Sequence, residues 1–183
     1  TLGFGGGYTT RLNFAKAVAT GFVDGMGVGT SASITASLST LAETPEQVVA
    51  QTATKSTLKS AITTIAQTDK KTDLLDVFTT LTDTLLLEDA TRRVLFLISD
   101  GEHTIDSNRQ AVIDAATLFK SGGGIVMVVG LRASGSGYDL LQRIATGGYF
   151  INASATTATS SIAQVHYLMS LICAGICIPE GDT

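Results

Sequence analysis

Val94-Leu95-Phe96-Leu97-Ile98-Ser99-Asp100-Gly101-Glu102 sets five apolar residues in a row and then breaks into a polar turn. A strand with one wet face alternates. An unbroken apolar run that stops at a turn describes a strand buried on both faces of a parallel sheet. A second run of this kind, Ile125-Val126-Met127-Val128-Val129, stops at Gly130. Between the two, Val112, Ala116 and Phe119 recur at helix spacing, and Ser121-Gly122-Gly123-Gly124 closes that helix. Strand, helix, strand is the unit from which parallel sheets are built.

The same alternation extends outward. Towards the C-terminus come a short helix around Leu140 to Ile144, a turn at Gly147-Gly148, a strand at Tyr149-Phe150-Ile151 and a helix carried by Ile162, Val165, Met169 and Ile172. Towards the N-terminus, Leu12, Ala15, Val18 and Phe22 mark a helix with Thr10 as its N-cap. The stretch Ser31 to Ser39 alternates strictly, with Ala32, Ile34, Ala36 and Leu38 on one face, which predicts a half-buried strand. After Pro45, Val48 to Gln51 reads as an edge strand. Leu58, Ile62 and Ile65 predict one helix, and Leu74, Phe78, Leu81 and Leu85 another. The fold class is α/β: a doubly wound, mostly parallel sheet with helices on both faces. At 183 residues there is room for one domain, set at 1–178, with 179–183 as an exit segment.

Composition narrows the function. Hydrophobic residues are 44% of the chain and charged residues 15%, enough apolar matter for a core and too little charge for a disordered chain. The net charge is −4, and no basic cluster exceeds the pairs Lys70-Lys71 and Arg92-Arg93, so no nucleic-acid partner is expected. Leu168 to Ile178 is too short to cross a bilayer and is interrupted by Gly175, so no membrane insertion is expected either. Serine and threonine together outnumber the charged side chains, which points to an extracellular or cell-surface setting. The chain has no starting Met and no signal peptide, and reads as a processed or excised piece.

Several stretches resemble the von Willebrand factor A domain. They are Arg11 to Lys16 with Gly21-Phe22-Val23, Lys71 to Asp76, Val94 to Glu102, Ile125 to Gly130, Tyr149-Phe150, and Ser161-Ile162 with Leu171-Ile172-Cys173. They cover nearly the whole chain in the family's order. The resemblance implies one antiparallel edge strand, which Ser31–Ser39 and Val48–Gln51 suit. It also implies a divalent-metal adhesion site at the C-terminal edge of the sheet, and Thr72 and Asp100 match two of its elements. Its first element, Asp-x-Ser-x-Ser, fails: Phe4, Gly6 and Tyr8 stand in those places. Thr72 and Asp100 are therefore a remnant site, and no cofactor is expected beyond a weakly held Mg²⁺ or Ca²⁺. The family's first strand is cut to Thr1–Phe4. Either this short strand suffices, or its place in the sheet is expected to be completed by residues upstream or by a strand donated from a neighbouring subunit.

Other constellations are weaker. Gly3-Phe4-Gly5-Gly6-Gly7 lacks the last glycine of a dinucleotide loop, and it has no P-loop lysine. Asp100, Glu102, His103 and Asp106 cluster after a strand, but without a nucleophile they read as a solvated loop, and Gly135-Ser136-Gly137 follows no helix-ready turn. No enzyme activity is expected. Asn152-Ala153-Ser154 is a glycosylation tripeptide at the end of the last strand. Cys173 and Cys177 would share one helix face, where a bridge between them is strained; they are buried or free thiols, or each pairs with a cysteine outside this chain. The expected function is a non-enzymatic protein-binding or structural module of an extracellular assembly. Its partners would be proteins: copies of itself or neighbouring domains of a longer chain. The alternatives are a Mg²⁺-dependent adhesion domain whose site is completed from outside the fragment, and an intracellular chelatase-like subunit.

Overall fold

The computed structural model describes residues 8–26, 35–40, 46–66, 73–85, 93–101, 108–131, 133, 135–153 and 158–174. The sequence expectations for Thr1–Phe4, the Gly3–Gly7 loop, residues 31–34, Thr72, Glu102, His103, Asp106, Cys177 and the 179–183 segment lie outside these residues. In chain order the elements are α1 (Tyr8–Gly25), β1 (Ala36–Thr40), β2 (Glu46–Thr52), α2 (Lys55–Thr64), α3 (Leu74–Leu85), β3 (Arg93–Ser99), α4 (Arg109–Ser121), β4 (Gly124–Gly130), α5 (Gly135–Ile144), β5 (Phe150–Asn152) and α6 (Ala158–Ala174).

β3, β4 and β5 form a parallel sheet in that order, with Val94 opposite Ile125, Ile98 opposite Val129 and Ile151 opposite Val129 on the other side. β1 and β2 form an antiparallel pair. The fold is therefore the α/β arrangement that the two apolar runs imply.

Period-two alternation divides the parallel strands between two cores. Leu97, Val126 and Val128 face α3, α4 and α5, and pack with Leu74, Phe78, Val112, Ala116, Phe119, Leu140, Leu141 and Ile144. Met127, Val129 and Ile151 face α1 and α6, and pack with Phe14, Val18, Phe22, Val165, Met169 and Ile172. On that side the Phe22 ring lies flat on Phe96, with centroids 4.0 Å apart. A third cluster, Val23, Leu58 and Ile62, joins α1 and α2 to the inner face of the hairpin at Ala36, Leu38 and Val49.

Three details differ from the sequence expectation. Thr10 lies inside α1, which runs from Tyr8, so it is not the N-cap. β3 is less covered than a strand buried on both faces: of Val94 to Ile98 only Leu97 is fully buried, whereas β4 is buried at every residue but Ile125. The order β3-β4-β5 supplies the reason, since β4 alone has a described neighbour on each side. Finally, α5 opens at Gly135, five residues before Leu140.

The helix ends follow ordinary capping chemistry. The Asn108 carboxamide oxygen accepts the Ala111 N–H at 3.2 Å at the start of α4, and Gly123, at φ +85°, reverses the chain after its last turn. Asp73 Oδ1 accepts two backbone N–H groups at the start of α3, from Leu75 at 2.8 Å and Asp76 at 3.1 Å. Asp73→Ala is expected to lower stability by about 1 kcal/mol, read by urea denaturation. An unchanged midpoint would show that these bonds do not hold the end of α3.

Candidate functional site

In a doubly wound sheet, ligands meet the chain beyond the C-terminal ends of the strands. Here that edge is formed by the exits from β3, β4 and β5. At the first, Ser99 is buried, and its Oγ accepts the Gly101 N–H at 3.1 Å. Its carbonyl accepts the Leu131 N–H at 2.8 Å, which ties the exits of β3 and β4 together. Asp100, half-buried, sits within this turn, and Gly101 completes it at φ +78°.

The first turn of α5 rests on the same place. A Cβ at Gly137 would stand 3.1 Å from the Asp100 carbonyl oxygen, and one at Gly101 would run into the Gly137 carbonyl. Gly135-Ser136-Gly137 is thus the opening of a helix, contrary to the sequence expectation. Glycine is a poor helix former, but here only glycine lets two backbones approach so closely.

Of the two residues matched to a metal site, Asp100 is described at the strand exit. Thr72 lies outside the described residues, next to the Asp73 cap. Among the described residues no group of three or more His, Cys, Asp or Glu is placed to hold a metal ion. Mg²⁺ takes six oxygens and leans on carboxylates for charge; at this strand exit the described carboxylate is Asp100. α1 begins at Tyr8, where the resemblance puts the second serine of the absent motif.

Asn152 ends β5, opposite Gly130, and is exposed. Cys173 falls in the last turn of α6. His166, on the same helix, places Nε2 2.7 Å from the Gly21 carbonyl oxygen of α1. Among the described residues no helix is long and apolar enough to cross a membrane.

The sequence did not disclose a cleft of about 570 Å³ beside β5. Tyr138 and Gln142, one turn apart on α5, form one wall. Phe150 and Asn152, two apart on β5, form the other, and the turn from Ala145 to Gly148 runs between them. Tyr138 and Phe150 meet edge to face, centroids 5.2 Å apart at 84°. Among the described residues the lining carries no charged side chain. Its parts all lie between Tyr138 and Asn152 but are unremarkable one by one, and only the i, i+4 spacing of Tyr138 and Gln142 hints at a shared face.

The sequence matches no protein-family model and no curated protein. Its fold matches solved von Willebrand factor A-type structures. The vWF domain of the type V pili tip protein Mfa5 from Porphyromonas gingivalis superposes with a TM-score of 0.76 at 13% identity, over 97% of this chain and 93% of that one. Proximal thread matrix protein 1 from the mussel byssus gives 0.70 at 15% identity, over 90% of this chain and 43% of that one. The manganese-loaded TRAP protein of Plasmodium vivax gives 0.67 at 12% identity, over 89% and 68%. This chain thus spans less than half of the mussel protein.

Proposed function

We propose that this chain, whose fold is von Willebrand factor A-like, is a non-enzymatic protein-binding module of an extracellular or cell-surface assembly, with a degenerate metal site. The fold supports an adhesion or interaction module in general. The observation that carries the finer reading is the exit of β3. It offers Asp100 as the described carboxylate, and among the described residues the backbones of Gly101 and Gly137 lie close beside it. Binding then rests on shape and neutral surface rather than on an ion bridging two partners. Among the similar structures are a pilus tip domain and a byssal matrix protein, both named for work outside the cell. Copies of this chain, or neighbouring domains of a longer one, are the partners proposed, in a matrix or a filament.

A second reading has its own support. One mussel structure is described with a zinc-occupied metal-ion-dependent adhesion motif, and the Plasmodium protein is described as manganese-loaded. On that reading, residues outside the described set complete a Mg²⁺ or Ca²⁺ site around Asp100. Calorimetric titration with Mg²⁺ and Mn²⁺ separates the two, run on the chain and on Asp100→Ala. The degenerate site gives no binding heat, and Asp100→Ala keeps its affinity for a captured partner. A bound ion that Asp100→Ala abolishes, with partner affinity falling tenfold or more (about 1.4 kcal/mol), would establish the metal-dependent reading instead.

A further inference from the structure

We infer that the cleft between α5 and β5 is the seat of the first sugar of a glycan attached at Asn152, held against the Phe150 ring. The inference rests on the reading that the chain passes through a secretory pathway, and it goes further by assigning the lining residues a ligand.

The geometry begins with the strand. Residues two apart in a strand point to the same face, roughly 7 Å apart. Phe150 and Asn152 are such a pair, while Ile151 between them is buried against α1 and α6. β5 is the outermost described strand, so the Asn152 side chain is reached from solvent. A pyranose joined to its amide nitrogen is about as long as the step back to Phe150. The sugar therefore falls over the aromatic ring rather than into open water.

The chemistry of the cleft suits that occupant. An N-acetylglucosamine ring is neutral, with one face of C–H groups and a rim of hydroxyls and an acetamide. Phe150, half-buried beside the α3–α5 core, lines the cleft edge to face with Tyr138, and its exposed part is the aromatic surface offered to the C–H face. Gln142 and the Tyr138 hydroxyl give neutral donors and acceptors for the rim, and the absence of charge in the lining disfavours an ionic ligand. The intervening turn is open at Gly147 and Gly148, where a Cβ would meet nothing within 4 Å. A tethered sugar also enters at high effective concentration, so weak contacts suffice to seat it.

The modification balances simply. The Asn152 amide nitrogen attacks the anomeric carbon of a lipid-pyrophosphate-linked oligosaccharide, supplied by the host's secretory transferase. The bond from that carbon to the pyrophosphate oxygen breaks, the amide gives up one proton, and lipid pyrophosphate leaves.

The test uses the whole chain secreted from a eukaryotic host, trimmed to a single N-acetylglucosamine, beside Asn152→Gln from the same host. Intact mass should show occupancy. The one-sugar form should melt about 2 °C or more above Asn152→Gln, a shift readable in a domain of this size. Its acetyl methyl should show proton–proton Overhauser contacts to the Phe150 ring. Phe150→Leu should keep occupancy and lose the melting increment, and Tyr138→Phe should reduce it with the core intact. An unmodified mass overturns the glycan and the inference together. Full occupancy without the increment or the contacts overturns the inference alone and leaves the extracellular reading standing.

Discussion

Gly101→Ala is expected to destabilise the domain by about 3 kcal/mol or more, adding a backbone penalty to a collision. Gly101 sits at φ +78°, where an alanine costs roughly 1–2 kcal/mol. The added methyl would also run into the Gly137 carbonyl oxygen, with that residue's carbonyl carbon at 2.8 Å and Cα at 2.9 Å. All of these are backbone atoms and cannot rotate away. Relief requires moving the first turn of α5, and Leu140, Leu141 and Ile144 anchor that helix in the core. At roughly 2–4 °C per kcal/mol for a domain of this size, the melting temperature should fall by about 6–12 °C. Gly123→Ala isolates the backbone component. Gly123 has φ +85° and nothing within 4 Å of the added carbon, so it should cost only about 1 kcal/mol. Equal losses at the two positions in urea denaturation would refute the collision.

Phe119→Ala should cost about 3–5 kcal/mol, the range for emptying a fully buried aromatic position. Phe119 has no exposed surface, and its ring covers Gly124 at the start of β4. A Cβ at Gly124 would overlap that ring, with Cζ 2.6 Å away, so Gly124→Ala is harmful in the native chain. In the Phe119→Ala background the ring is gone and the extra methyl enters the space it left. The double mutant should then be less destabilised than the two losses added together, with a coupling of roughly 1–2 kcal/mol. Strict additivity in equilibrium unfolding would show that Phe119 and Gly124 do not share that space.

Much of the fold was legible because burial writes itself into periodicity. Ile125 to Val129 read as a strand covered on both faces, and all of it but Ile125 is buried. The alternation through Ala36 and Leu38 survives as a hairpin with one half-buried face. The spacing of Leu74 and Phe78 marked a helix that puts both side chains fully out of water. What escaped depends on how separate elements approach one another. Gly135 to Gly137 precedes the helix expected around Leu140, because glycine disfavours helix, yet it opens α5 where that helix lies on the Asp100–Gly101 turn. Asp73 carried a signal that could have been used, a carboxylate directly before the apolar pair Leu74-Leu75. The candidate site divides in the same way. Asp100 and Asn152 were legible from local motifs, at a strand exit and in a glycosylation tripeptide. The cleft beside Asn152 was not, because α5 and β5 must first come together to create it.

The contact between α1 and α6 bears on how the chain is made. The two helices share one core, and the bond from His166 to the Gly21 carbonyl spans 145 positions of sequence. Met127, Val129, Ile151 and α6, which cover Phe14, Val18 and Phe22, leave the ribosome more than a hundred residues after them. At roughly 5–20 residues per second, the apolar stripe of α1 stays open for on the order of ten seconds. Helix α1 is synthesised well before the elements that enclose it. A ribosome that stalls before α6 would leave a nascent chain with this stripe uncovered, a natural target for a chaperone and a hazard without one.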